Sequence, residues 1–440
     1  MGLRRSWAGF CLGVGLVLVL VACDVGAGVE EPSLAFDENG TLFINATNRV
    51  VVNGVDVQAL AMAFSAASSS LDALIELQRE LNPPQFEQHA ISATMDGSRS
   101  ACAADLDGDG FLDVLSTNYL QHQISWYRNN GDGSFSDQIV ITNTSQSVWY
   151  ATPADLSGDG QLDIVSVWHN DMIAWYLNTG NGAFSPEPMI ITTDVKAGRS
   201  VFATDFNNDG YTDVVSASMD DDKIAWYRNN GNSTFSAQII ISTDAVEALS
   251  VYAADLNNDG FADVLSASPG DDKVAWYRNN GNGTFTNQIV ITTSADGPVS
   301  VYAADLDGDG HLDVLSASYL DNKIAWCRNN GNGTFSEQLV ISDAADMAYS
   351  VYAADLDNDG HLDVLSASYY DDKIAWYRNK GNGTFSDQLI ITEAANGAYS
   401  VFAADLDNNG DIDILSASYL GDGIAWYRND DPVAHFFRST

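Results

Sequence analysis

Residues 301–342 read VYAADLDGDGHLDVLSASYLDNKIAWCRNNGNGTFSEQLVIS, and the fold follows from this stretch. Four short runs rich in valine, isoleucine, alanine and aromatic residues are separated by glycine- and asparagine-containing turns, the pattern of short antiparallel strands. One unit comprises Ser300 to Asp305, a loop to Asp313, Val314 to Ser318, Lys323 to Cys327, an Asn-Gly turn, and Thr334 to Ser342. We label these strands A to D. The pattern returns every 50 residues, its first aspartate standing at Asp105, Asp155, Asp205, Asp255, Asp305, Asp355 and Asp405. An I-[AS]-W or V-A-W tryptophan follows in each copy, at Trp126, Trp175, Trp226, Trp276, Trp326, Trp376 and Trp426. Turns interrupt each unit after about ten residues and leave no 3.6-residue stripe, which excludes helical repeats.

Seven four-stranded units predict an all-β, seven-bladed β-propeller over residues 86–440. The seventh copy stops at Arg428-Asn429 and lacks a fourth strand, while Phe86 to Ile91 precedes the first copy. Gln88 and Ile91 stand 50 residues before Gln138 and Ile141 of a strand D. The N-terminal segment 86–95 is therefore expected to complete blade seven, leaving no open edge. The tryptophans are read as blade core. Cys102 and Cys327 take places where sister units carry tyrosine or phenylalanine, and are read as unpaired core residues.

The loop between strands A and B has the form D-x-[DNS]-x-[DN]-G-x-x-D. Positions 1, 3, 5 and 9 present oxygen-bearing side chains and glycine at position 6 permits a sharp turn. Calcium takes six to eight oxygen ligands, so four side chains, the position-7 carbonyl and water complete a shell. The expected ligand sets are Asp105, Asp107, Asp109, Phe111 and Asp113; Asp155, Ser157, Asp159, Gln161 and Asp163; Asp205, Asn207, Asp209, Tyr211 and Asp213; Asp255, Asn257, Asp259, Phe261 and Asp263; Asp305, Asp307, Asp309, His311 and Asp313; Asp355, Asp357, Asp359, His361 and Asp363; and Asp405, Asp407, Asn409, Asp411 and Asp413. Up to seven Ca2+ ions follow, one per blade. Blades one, five and six carry aspartate throughout, whereas Ser157 and Asn409 mark blades two and seven as weaker. An EF-hand would need a glutamate at position 12, where Ser116 and its equivalents stand.

With these loops in view, residues 86–440 resemble the FG-GAP/VCBS repeats of bacterial surface proteins, related to the blades of the integrin alpha-subunit head. The resemblance implies a seven-bladed propeller with calcium in the A-to-B loops on one rim. Family members include binding modules, lectins and domains attached to enzymes, so the fold leaves the function open.

A ligand surface is expected on the opposite face, where the B-to-C and D-to-A loops meet. The B-to-C loops offer Tyr119, Trp168, Met219, Pro269, Tyr319, Tyr369 and Tyr419, followed by acids such as Asp221, Asp271, Asp321 and Asp371. Of these, Tyr119, Trp168, Tyr319, Tyr369 and Tyr419 are the candidate ligand-binding residues. Rings stack on apolar sugar faces and carboxylates accept from hydroxyls; the alternative is that the rings pack between blades. An enzyme reading rests on His169 alone, since His311 and His361 fall within calcium loops and no G-x-S-x-G, H-E-x-x-H or phosphate loop occurs.

With 60 acidic against 19 basic residues and a formal charge of -41, the chain excludes nucleic acid and bare anionic lipid as partners. Four cysteines, at 11, 23, 102 and 327, are too few and scattered for a disulfide framework. Arg4 and Arg5 precede an apolar run, Trp7 to Ala22, too short for a membrane span and suited to a signal peptide over residues 1–22. Leu20 to Cys23 resembles the lipobox of bacterial lipoproteins, which implies cleavage before Cys23, lipidation of its thiol and contact with the membrane only through that anchor. Residues 23–85 read as a linker, one or two short strands within Thr41 to Val52, and a heptad seam over residues 57–81. That seam fits either a self-associating stalk, a trimer by preference, or a helix docking on the propeller. The expected whole is an exported, calcium-binding cell-surface module for glycans or surface proteins. The alternatives are a polysaccharide-acting lyase or hydrolase and a structural envelope protein. Near-equivalent blades and any stalk oligomer would supply avidity.

Overall fold

The computed structural model describes residues 79, 83–93, 97–421 and 423–430, with four short strands before them. Those strands pair antiparallel, Ser33–Phe36 with Leu42–Asn45 and Val51–Val52 with Val55–Asp56. The first pair thus begins earlier than the 41–52 segment read as strand. The signal segment 1–22, Cys23 and the heptad seam lie outside the described residues. The main compact unit runs from 84 to 431, ending short of the expected boundary at 440.

This unit is seven antiparallel sheets of four strands. In blade five strand A is Pro298–Ala304, B is Asp313–Ser318, C is Lys323–Cys327 and D is Leu339–Ser342, hydrogen-bonded in that order. Strand A lines the axis, and strand D forms the partly exposed outer edge. Strand B is buried along its whole length, because both faces of a blade are covered by neighbours. Its Ser316-Ala317-Ser318 run keeps the sheets close.

Blade seven is completed as the sequence predicts. Gln85–Ser92 pairs with Gly423–Asp430, with Trp426 opposite His89 and Ile424 opposite Ser92. Blade one pairs Trp126 with Ile139 and Ile124 with Thr142, the same register moved by 50 residues.

The apolar core lies between blades. Leu315, Ile324 and Trp326 of blade five pack on Val351, Val364 and Tyr377 of blade six. The same arrangement joins Leu406, Leu415 and Trp426 of blade seven to Ala101, Val114 and Tyr127 of blade one. The seven repeat tryptophans are all buried, as expected of core. Cys327 is buried and unpaired; Cys102 is unpaired too, half-buried where the blade one and two core meets the axial cavity.

A polar tie accompanies each apolar interface. The Asn329 amide group donates to Leu312 O of its own blade at 2.9 Å and to Leu256 O of blade four at 2.8 Å. Equivalent bonds recur from Asn178, Asn229, Asn279, Asn379 and Asn429, and Asn129 reaches Leu406 O of blade seven at 2.7 Å. The bond that links successive blades therefore also closes the ring. Leaving a buried carbonyl unpaired costs roughly 1–3 kcal/mol. Asn129→Ala should lower the melting temperature measurably, while the exposed neighbour change Asn130→Ala should leave it nearly unchanged; equal effects in thermal denaturation would refute the closing role.

Candidate functional site

Each A-to-B loop is wound around its own first carboxylate. Asp105 accepts from Gly108 N and Asp109 N through Oδ1, at 2.8 and 3.1 Å, and from Gly110 N through Oδ2 at 3.0 Å. Such winding needs left-handed backbone at two places. Gly110 supplies position 6 at φ 92°; position 4 is left-handed too, and is filled by glycine or by Asn208, Asn258, Asn358 and Asn408. Asparagine tolerates this region and adds a contact, as Asn208 Nδ2 donates to Gly260 O of the next blade at 3.1 Å. The sequence reading recognised position 6 and passed over position 4.

Position 9 is the most buried member. Asp313 accepts from Leu306 N at 3.0 Å and from Asn329 N at 2.8 Å, joining the loop to the turn that leaves strand C. At position 7 the side chains of Phe111, Tyr211, Phe261, His311 and His361 lie over a glycine of the C-to-D turn, where a Cβ would collide with the ring. Position 7 can therefore offer a metal only its carbonyl, and His311 and His361 are packing residues like their aromatic sisters.

Positions 3 and 5 meet an arginine at the end of strand C, a partner the sequence reading missed. Arg328 Nε lies 2.6 Å from Asp307 Oδ2 and its Nη2 2.9 Å from Asp309 Oδ2; Arg128 repeats this on Asp107 and Asp109. Arg378 makes both contacts in blade six, and Arg428 makes the position-3 contact, to Asp407, in blade seven. Blade two has Ser157 for the aspartate and Leu177 for the arginine, so both members of the pair are lost together.

In blade five, with Asp307 Oδ2 held by arginine, Asp307 Oδ1 is left buried without a hydrogen-bond partner, whereas in blades one, three and seven the corresponding oxygen accepts the position-5 backbone N–H, as Asp107 Oδ1 does from Asp109 N at 3.2 Å. At the same position Asn257 Oδ1 and Ser157 Oγ are likewise buried without a partner. Ligand oxygens lie within 4.8 Å of one another for Asp105, Asp107 and Asp113; for Asp305, Asp307 and Asp313; for Asp355, Asp357 and Asp359; and for Asp405, Asp407 and Asp413. Blade seven, ranked weaker for Asn409, thus assembles the same triad as blades one and five. A buried oxygen facing other carboxylate oxygens fits a cation with oxygen preference.

Burial raises the position-9 carboxyls. Asp113, Asp163 and Asp213 are pushed up to about 6 and Asp263, Asp313 and Asp413 to about 7, with backbone donors opposing the shift and neighbouring aspartates adding to it in most blades. Asp363 is raised as well, by burial and by Asp357.

The face opposite these loops carries the B-to-C and D-to-A turns. Tyr119, Tyr319, Tyr369 and Tyr419 stand there half-buried, each donating its backbone N–H to the D-to-A turn, as Tyr119 does to Gly97 O at 2.9 Å. Trp168 does not belong with them. It ends strand B, is 0% exposed, and donates Nε1 to Ser166 Oγ at 2.8 Å inside the interface between blades one and two. The B-to-C turn of blade two is one residue shorter, so Trp168 aligns with Asn118 and Ser218. His169 occupies the tyrosine position, its N–H donating to Ser147 O. The acids proposed for hydroxyl recognition are also engaged: Asp221, Asp271, Asp321 and Asp371 pair with Lys223, Lys273, Lys323 and Lys373 at 2.7 to 3.2 Å. What gathers around the axis instead is aromatic, including Tyr349 stacked on Tyr399 at 4.7 Å, around a cavity of about 330 Å³.

Comparison with known proteins agrees with this architecture. A family model described as FG-GAP-like repeat matches residues 105–166, 165–216, 205–266, 255–316, 307–366 and 355–416. A search of curated proteins finds no match. Among solved structures, an Agrocybe aegerita lectin, described as recognising non-reducing terminal N-acetylglucosamine, is 18% identical with a TM-score of 0.54, over 76% of this chain and 86% of that one. BBS1N, solved in complex with ARL6DN, is 10% identical at 0.56, over 80% and 98%. A catalytically inactive virginiamycin B lyase from Staphylococcus aureus, solved with quinupristin, is 15% identical at 0.54, over 78% and 99%. At these identities the likeness concerns the fold alone.

The raised position-9 carboxyls set a pH dependence. A folded-state value of about 6 to 7 against an ordinary value near 3.9 means that the folded chain binds more protons between about pH 4 and 7, so stability falls as pH rises through that window. In EDTA the melting temperature should rise as pH is lowered from about 8 to about 5.5. A flat or falling profile would show that these carboxyls are not held in low-dielectric surroundings.

Proposed function

From a chain that belongs to the FG-GAP-like repeat family, we propose an exported, calcium-binding module, lipid-anchored through Cys23 in a bacterial envelope and displayed for binding glycans or surface proteins. The observation that carries the calcium part is Asp307 Oδ1 of blade five, buried without a partner and grouped with oxygens of Asp305 and Asp313 while its sister oxygen is held by arginine. An all-oxygen donor set, repeated in each blade, suits calcium better than softer metals. Bound calcium would satisfy that oxygen and offset the repulsion among loop carboxylates. Extracellular sites bind at roughly 0.1–1 mM, and a site at ten times its Kd contributes about 1.4 kcal/mol.

Binding rather than catalysis is supported by where the units differ. The calcium loops barely vary, whereas the D-to-A and B-to-C turns change from blade to blade. Lipidation accounts for how so acidic a chain is held at a membrane its charge would avoid. Association through residues 57–81, as a trimer, would present several propellers together.

The second reading, a polysaccharide-acting enzyme, is favoured by one observation. His169 is exposed on the axial face, stacked on Trp149 with centroids 6.2 Å apart, and its Nδ1 is 3.5 Å from Arg199 Nη1. A histidine beside a cation and an aromatic wall could move a proton on a bound sugar.

Calcium at millimolar concentration should raise the melting temperature of the full chain and EDTA should reverse the gain; identical melting in both conditions would sink the metal assignment. Envelope-purified protein should carry acyl mass on Cys23, and Cys23→Ala should release it from membranes. On a glycan panel in calcium, retention without oligosaccharide release supports a binding module, whereas release abolished by His169→Ala would establish the enzyme.

A further inference from the structure

Within the described residues of the propeller, buried and half-buried cations are matched to carboxylates, with two exceptions. Arg378 and Arg428 cap calcium loops, and Lys223, Lys273, Lys323 and Lys373 pair with turn aspartates. Arg99 and Arg199 have no ion pair, although the chain carries 60 acidic residues. Arg199 is only 8% exposed, and Nε of both arginines is buried without a hydrogen-bond partner. Their remaining contacts are neutral: Arg99 Nη1 donates to Tyr399 Oη at 2.7 Å, Arg199 Nη2 lies 3.1 Å from Met219 Sδ, and Arg199 Nη1 lies near His169.

Both sit at one distinctive place in the repeat. The register of strand A slips between Ser98 and Ser100 and between Gly198 and Ser200, so each arginine is the extra residue of a bulge and is re-aimed relative to its strand. The same bulge position carries Trp149, Val299, Tyr349 and Tyr399 in other blades, and Leu249 stands there in blade four. This ring lines the mouth of the axial cavity of about 330 Å³, in the volume class of small-molecule sites. Both guanidinium groups lie over the Trp149 ring, at 3.6 and 3.8 Å from its centroid, and Arg99 also faces Tyr119 at 4.4 Å and Tyr419 at 4.9 Å. Deeper along the channel, Phe202, Tyr252, Tyr302, Tyr352 and Phe402 form a belt with neighbouring centroids 4.6 to 5.0 Å apart.

Two like charges held close without an ion pair, one of them buried, are unfavourable unless an anion completes them. The guanidinium fork matches a carboxylate, and the surrounding rings match the apolar face of a pyranose. We propose that the mouth of the axial channel is a binding site for a carboxylate-bearing sugar, with Arg99 and Arg199 receiving the carboxylate and Trp149 and its neighbouring tyrosines receiving the ring. This rests on the glycan-binding reading and adds to it the class of sugar and a single axial site.

The test is calorimetric titration of the full chain in calcium buffer with oligogalacturonate, with its carboxyl-reduced counterpart, and with sialyllactose and lactose. The expected result is binding of at least one acidic sugar, about ten-fold or more tighter than its neutral counterpart, and weakened similarly by Arg99→Gln or Arg199→Gln. The two acidic ligands distinguish a uronate from a sialate source. Equal affinity for acidic and neutral forms overturns the axial carboxylate site while leaving glycan binding intact. Failure of every acidic and neutral sugar overturns the axial site, and the glycan panel then decides the wider binding reading. The comparison on the unaltered chain decides the matter even where a variant at the buried Arg199 does not fold.

Discussion

A buried aspartate with two backbone donors, Asp313 in blade five, holds the rest of each blade in place. One oxygen fixes the start of the A-to-B loop through Leu306 N, and the other fixes Asn329, whose side chain then reaches the preceding blade. Loop winding, strand pairing and blade stacking therefore meet at one carboxylate. Because the 50-residue unit repeats this hub, the contact that extends the array is also the contact that ends it. Closure requires no new chemistry, only a strand D for blade seven, which Gln85–Ser92 provides.

The loops show how a strongly acidic surface can be folded at all. Each gathers oxygen ligands at close quarters, which repel when charged. Three devices share the load: backbone donors around position 1, an arginine on the outer oxygens of positions 3 and 5 in blades one, five and six, and burial that favours the neutral form at position 9. In blade five none of them satisfies the inward oxygen of Asp307, although in blades one, three and seven the position-5 N–H reaches its counterpart. That residual demand, rather than the number of aspartates, is what argues for a cation. Blade two carries Ser157 and Leu177 together, whereas blade four has Asn257 at position 3 and keeps Arg278 on Asp259.

The fold was almost wholly legible because period-50 repetition, period-2 strands and Gly or Asn turns agree with one another. The ring-closing strand was legible from a count of what the last unit lacks. The Asn129 hub was not, because an asparagine in an Asn-Gly turn reads as turn chemistry and its partner is in another blade. The arginine caps were missed because pairing across 21 positions leaves no local signature. The ligand face failed differently. Trp168 was grouped with the tyrosines by counting along the repeat, and a one-residue deletion moved it from a core strand end to an apparent loop. His169, read only as a lone histidine, turned out to hold the tyrosine position.

Those corrections also change what the repeat can do for binding. Near-identical blades invite the idea of many equivalent sites, yet the turn acids that would have served them are tied to lysines, and the unmatched cations converge on the axis. An axial site is single by geometry, however many blades surround it. Divergence at one strand position, from Arg99 and Trp149 to Tyr349 and Tyr399, makes that site asymmetric enough to orient a ligand. On this reading sevenfold repetition provides rigidity and an enclosed mouth rather than valency. Any avidity would then come from bringing several chains together, so the segment 57–81 and the axial mouth would depend on each other for function.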